Sequence, residues 1–158
     1  MLGSEVDVFS HWYHLVDGLE QSSQAFYTAL AEELEARRIP DLHLSRVEFA
    51  EGAILSGKRE YLRVKRKDHT FDVCAAPFGR GFFVSWWLFA VPGCIGGLPI
   101  IGAFFRRDTY YTHDTALMFQ SAVHGAVTDT LDRVSAGKGI RALSEFERKP
   151  ILREFGRR

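Results

Sequence analysis

The sequence predicts one α+β domain: an antiparallel meander of four to five strands with helices packed on one face, in the order β-α-β-β-β-β-α-α. Three observations predict it. Short runs between residues 45 and 89 alternate polar and apolar side chains and are separated by turn residues. Two longer runs, one on each side, carry apolar residues at helical spacing. No repeat, linker or low-complexity tract interrupts the chain, and 158 residues are the usual size of one domain with its own core, so residues 1–158 are read as a single unit.

Val8 to Val16 (VFSHWYHLV) is rich in aromatic and β-branched residues and reads as the first strand. Ser22 and Ser23 are N-cap residues for a helix from about Gln24 to Arg38, which buries Phe26, Leu30 and Leu34 and ends before Pro40. In the next strand Val47 and Phe49 alternate with Arg46 and Glu48. The run around Glu60 to Lys67 places Leu62 and Val64 on one side and Arg59, Tyr61, Arg63 and Lys65 on the other. Lys67-Asp68-His69 turns the chain into Thr70–Ala76, with Phe71 and Val73 inward. Pro77 to Gly81 then turns it into a fourth strand of the meander, Phe82–Phe89. Connections this short require antiparallel neighbours.

Asp108 caps a long helix reaching about Ser135, with the stripe Ala116, Phe119, Val123, Val127, Leu131 and Val134, closed by Gly137 and Gly139. Ser144-Glu145-Phe146-Glu147 is a capping box that opens a short last helix, with Pro150 close behind it. The 13 phenylalanines predict an aromatic core.

The net charge of zero divides unevenly along the chain. Residues 1–56 carry 3 Lys/Arg and 10 Asp/Glu, residues 57–107 carry 9 and 3, and residues 108–158 carry 8 and 7. A basic middle section either faces the acidic first section within the fold or attracts an anionic partner. Two distant cysteines, Cys74 and Cys94, make neither a disulfide framework nor a zinc site. The chain start, Met-Leu-Gly-Ser-Glu, lacks the basic and apolar run of a secretory signal. These features predict a cytoplasmic protein with reduced thiols.

Between Arg80 and Arg106 lie 25 residues without a charge, Gly81 to Phe105. The first nine belong to the fourth strand of the meander. The remainder, an apolar insertion at residues 90–105, contains Pro92, Pro99 and four glycines, and is too short to cross a hydrocarbon core of about 30 Å as a helix. It reads either as a buried hairpin closing the sheet or as a projecting one. In the projecting reading Ile95, Leu98, Ile100, Ile101, Phe104 and Phe105 supply apolar contact, while Arg106 and Arg107 supply a basic rim. Its partner is then another protein or an anionic membrane surface, met peripherally at the inner membrane face. A homo-oligomer is compatible with the sequence.

A second candidate is the strand face Arg59, Tyr61, Arg63 and Lys65, joined across the sheet by Cys74 and Trp87. Cations mixed with rings suit an anionic ligand, nucleic acid included. No nucleic-acid motif accompanies them, and a basic edge strand also protects a sheet from pairing with others, so a nucleic acid ranks behind a protein or a membrane. Cys94, in Pro-Gly-Cys-Ile-Gly-Gly, is a nucleophile only if its thiol is acidified, and its apolar neighbours oppose that. His113 and His124 point the same way along the long helix, but eleven residues separate them by roughly 16 Å, too far to share a metal ion. With Gln120 they form a hydrogen-bonded polar seam. Asp129 and Asp132 read as solvated. The sequence calls for no cofactor and no metal, and the reading it favours is a non-enzymatic binding module. The alternative is a small enzyme or anionic-ligand binder using the face of Tyr61, Arg63, Cys74 and Trp87, or the Cys94 thiol.

Overall fold

The computed structural model describes residues 7–50, 57–90, 94–95, 98–99 and 110–152. The meander is β2 (His43–Ala50), β3 (Lys58–Arg66), β4 (His69–Phe78) and β5 (Gly81–Ala90), each antiparallel to the next. The first strand, β1 (Asp7–Asp17), does not extend the meander at its β2 side. It pairs with β5, so the sheet order is β2-β3-β4-β5-β1, and a two-residue strand near the C-terminus, β8 (Ile151–Leu152), flanks β1.

Helix α1 (Ser23–Ala36) begins where Ser22 Oγ accepts the amide of Ala25, as the sequence predicts. It buries Phe26, Tyr27, Leu30 and Leu34. Tyr27 ties the helix to the sheet: its hydroxyl donates to the carbonyl of Glu60 at 2.7 Å and accepts the amide of Ala75 at 2.8 Å. Burial raises the pKa of this phenol well above its usual range. The second helix, α2 (Tyr110–Ala136), lies on the same face of the sheet and buries Phe119, Val123, Val127 and Leu131 of the predicted stripe. Its predicted cap, Asp108, lies outside the described residues. Arg37 links the helices, pairing with Glu33 within α1 and with Asp129 of α2. The inner face of the sheet brings Trp12, Leu62, Val64, Phe71, Val84 and Trp86 against them, and the rings of Phe119 and Trp86 meet Phe71 edge-on.

The last predicted helix is a single turn. The capping box forms, since Ser144 Oγ accepts the amide of Glu147 and a Glu147 carboxylate oxygen accepts the amide of Ser144. Helix formation then stops because stronger anchors draw the chain onto the core. The Trp12 indole donates to the Glu147 carbonyl at 2.7 Å, His124 Nε2 lies 2.6 Å from the Arg148 carbonyl, and the chain continues as β8 beside β1. Asp132 is also not simply solvated. It accepts the amide of Leu143 and pairs with Arg148, so it fastens this segment to α2, while Asp129 remains more exposed. Two members of the predicted polar seam are hydrogen-bonded: Gln120 Oε1 accepts from Ser10 Oγ, and His124 Nδ1 accepts from the Trp86 indole.

Candidate binding surfaces

Strand register locates two surfaces. His69 and Asp7 both pair with Ala90, and Arg66 pairs with His69. One end of the sheet is therefore made by the end of β5, the β3–β4 turn and the start of β1. The chain leaves β5 at this end and returns in α2 at the same end, because Phe119 packs on Phe71, two residues from His69, whereas Ser135 reaches the cavity beside His14 and Asp17 at the other end. Residues 110–118 precede that first core contact by about 13 Å of helix, and none of them is buried. Tyr110, Tyr111, Leu117 and Met118 are among the most exposed large apolar side chains, at 91%, 80%, 47% and 63%. This part of α2 overhangs the end of the sheet.

Between β5 and α2, β6 (Cys94–Ile95) pairs with β7 (Leu98–Pro99) as a two-stranded sheet separate from the main one. Within the insertion these four residues therefore pair with one another, as two arms of a hairpin. Of its predicted contact residues, Ile95 and Leu98 lie in these strands, and Ile100, Ile101, Phe104, Phe105, Arg106 and Arg107 lie outside the described residues. Lys65 and Arg66 end β3 and Lys67 begins the turn to β4 at the same sheet end, with Lys65 and Lys67 exposed. Among the described residues, no helix is long and apolar enough to cross a membrane.

The second surface is the face of the sheet opposite the helices. Register aligns Tyr61 with Cys74 and Ser85, and Arg63 with Asp72, Trp87 and His11, so Tyr61, Arg63, Cys74 and Trp87 share one side as the sequence predicts. Their chemistry differs from the expectation in one respect. Arg63 is not available to a ligand: its guanidinium forms a two-point ion pair with Asp72 at 2.7 and 2.8 Å, between the rings of Phe49 and Phe89. The Asp72 hydrogen bond raises the pKa of Arg63 further. Asp72 has no distinguishing pattern of its own in the sequence, and only the β3–β4 register sets it opposite Arg63. Cys74 is buried, and desolvation raises its thiol pKa, so it is a structural residue rather than a nucleophile. The neighbouring side chains of Arg59, Tyr61 and Ser85 oppose part of that rise.

What this face presents to solvent is aromatic. Tyr13, Phe49 and Trp87 are 59%, 47% and 44% exposed. The ring of Trp87 is stacked on His11 at 4.5 Å between centroids, and Tyr13 is stacked on Phe83. Val47 and Phe49 lie on this side because Val47 pairs with Tyr61. Arg46 points to the helix side, over the Tyr27 ring. Among the described residues no group of three His, Cys, Asp or Glu side chains is arranged to hold a metal ion. Compared with models of known protein families and with curated proteins, the chain matches none.

Proposed function

We propose that the protein is a non-enzymatic binding module that seats on an anionic membrane surface through the end of the sheet bearing the hairpin. The observation that supports this reading most is the convergence there of three features. They are the self-paired apolar hairpin, the overhanging start of α2 with Tyr110 and Tyr111 exposed, and the cationic β3–β4 turn. A soluble surface gains nothing from large exposed aromatic and aliphatic side chains at one end. At a bilayer, tyrosines sit at the headgroup level, apolar residues enter the acyl boundary, and cations meet anionic headgroups at about 1 kcal/mol each. The location that follows is peripheral, on the cytoplasmic face of a membrane.

Flotation with neutral and anionic liposomes tests this. Replacing Arg106 and Arg107 with Gln is expected to weaken binding to anionic vesicles only, and added salt is expected to do the same, because surface charges are screened over about 8 Å at physiological ionic strength. Ile100→Asp with Phe104→Asp is expected to abolish binding to both. A protein that ignores all vesicles overturns the reading. If the double Asp variant instead unfolds, the stretch belongs to the core. If it folds but loses a protein captured by the intact chain, the surface serves a protein partner.

A further inference from the structure

We infer that the open face of the sheet binds single-stranded nucleic acid, with bases stacking on the exposed rings and phosphates held by Arg59 and Lys65. Three observations meet there. First, Trp87, Tyr13 and Phe49 present ring surface to solvent from β5, β1 and β2, so they span the sheet, roughly 19 Å at about 4.8 Å per strand spacing. His11 stacked under Trp87 and Phe83 beside Tyr13 hold those rings in place before any ligand arrives. Second, the rings stand in a row across the strands of one sheet face, and none of them lines the cavities of about 670, 240 and 370 Å³ found elsewhere on the molecule. Such a row suits an extended chain of planar groups better than one small ligand, which needs a concave site.

Third, the charge on this face leans to cations. Of its carboxylates among the described residues, Asp72 is buried and consumed by Arg63, and Asp17, at the far end of β1, lies 3.8 Å from Arg80. Arg59 and Lys65, both exposed, have no carboxylate partner among the described residues. A second copy of the chain laid face to face would set these cations against each other, so self-association is disfavoured. A polyanion matches them, and one that carries unstacked planar rings also matches the aromatics. Single-stranded DNA or RNA has both properties. The face lies along the strands and meets the sheet end assigned to the membrane at Lys65, which borders both surfaces.

The test is fluorescence anisotropy of the full chain with labelled dT12 and rU12 at 50 mM and 200 mM salt. Binding at low salt with an affinity that falls as salt rises is expected, since cation–phosphate contacts release counterions. Trp87→Ala is expected to weaken binding about tenfold or more at unchanged salt dependence. Arg59→Gln with Lys65→Gln is expected to weaken it and to flatten the salt dependence. Quenching of tryptophan fluorescence by the oligonucleotides, but not by poly-glutamate or heparin of equal charge, marks stacking. Should Trp87→Ala fail to fold, Tyr13→Ala serves in its place. No binding at 50 mM salt overturns the inference. So does equal competition by heparin together with indifference to both aromatic variants, which reduces the face to a non-specific basic patch. Concentration-dependent dimerisation that buries Trp87 also overturns it, because the occupant is then a second copy.

Discussion

The imidazole of His124 is held between two fixed partners: the Trp86 indole donates to Nδ1 at 3.0 Å, and Nε2 lies 2.6 Å from the carbonyl oxygen of Arg148. An indole nitrogen only donates and a carbonyl only accepts, so the ring is neutral with its proton on Nε2. A second proton would have to displace the Trp86 bond, inside a site where Arg148 is already positive. Burial, more than any charge, lowers the pKa of His124.

Stability therefore depends on pH in a defined window. The unfolded chain takes up a proton near pH 6.5, while folded His124 resists it, so the unfolded state binds more protons below that pH. The urea midpoint is expected to be highest near pH 7 and to fall as pH drops from 7 towards 5. His14, whose pKa burial also lowers, contributes in the same direction. Glu147 is held far below the ordinary carboxylate range by Arg141 and the Ser144 amide, and it loses its contribution only at more acid pH. His124→Gln with His14→Gln should flatten the dependence between pH 5 and 7. A wild-type midpoint that does not change across that range would refute the assignment.

Helix α2 changes character at one residue step. Phe119 is 3% exposed and packs on Phe71, whereas Met118 is 63% exposed. Phe119→Ala is expected to cost about 3–5 kcal/mol, as truncation of a core aromatic does. Met118→Ala is expected to stay within roughly 0.5 kcal/mol. Chemical denaturation of the two variants checks the pair, and equal losses would place the boundary elsewhere.

Thr130 carries a buried hydroxyl with no hydrogen-bond partner among the described residues. Leaving such a group unpaired costs about 1–3 kcal/mol of desolvation. Thr130→Val keeps the shape and removes the hydroxyl, so the urea midpoint should rise, by about 1 kcal/mol in free energy. A loss of stability would show that the hydroxyl is satisfied in solution.

Gly125 faces the Arg37 guanidinium, and a Cβ there would meet Arg37 Nη1 at 2.8 Å. Two effects oppose each other in Gly125→Ala. Helix propensity gains about 1 kcal/mol, and displacing a flexible guanidinium from partly exposed ion pairs with Glu33 and Asp129 loses about 0–1 kcal/mol. The expected outcome is a change within about 1 kcal/mol, neutral or stabilising. A thermal or urea measurement showing a loss above about 2 kcal/mol would mean that the helices themselves are forced apart.

The fold was legible where periodicity and turn chemistry agree. The turns at Lys67-Asp68 and Gly79-Arg80 set the meander, and the four-residue spacing of Phe26, Leu30 and Leu34 set α1. Two things were not. The position of β1 beside β5 depends on a long-range pairing that no local pattern encodes. The fate of Ser144–Pro150 depends on Trp12 and His124, distant donors that take the carbonyls of Glu147 and Arg148 and stop the helix after a formed capping box. On the open face the grouping of Tyr61, Arg63, Cys74 and Trp87 followed from alternation alone. The neutralisation of Arg63 did not, because it needs the cross-strand register that sets Asp72 opposite.

The placement of β1 also bears on how the chain is made. Val16 pairs with Phe82, and Trp12 with Trp86, so the first strand synthesised has no sheet partner until β5 emerges. At about 5–20 residues per second that interval is several seconds. Throughout it the aromatic run of β1 is an unpaired edge, and the next segment to leave the ribosome after β5 is the apolar insertion. Closing the sheet requires this long loop, so folding is expected to be slow and sensitive to aggregation during translation. The nascent chain carries its most adhesive segments at the moment it is least able to bury them.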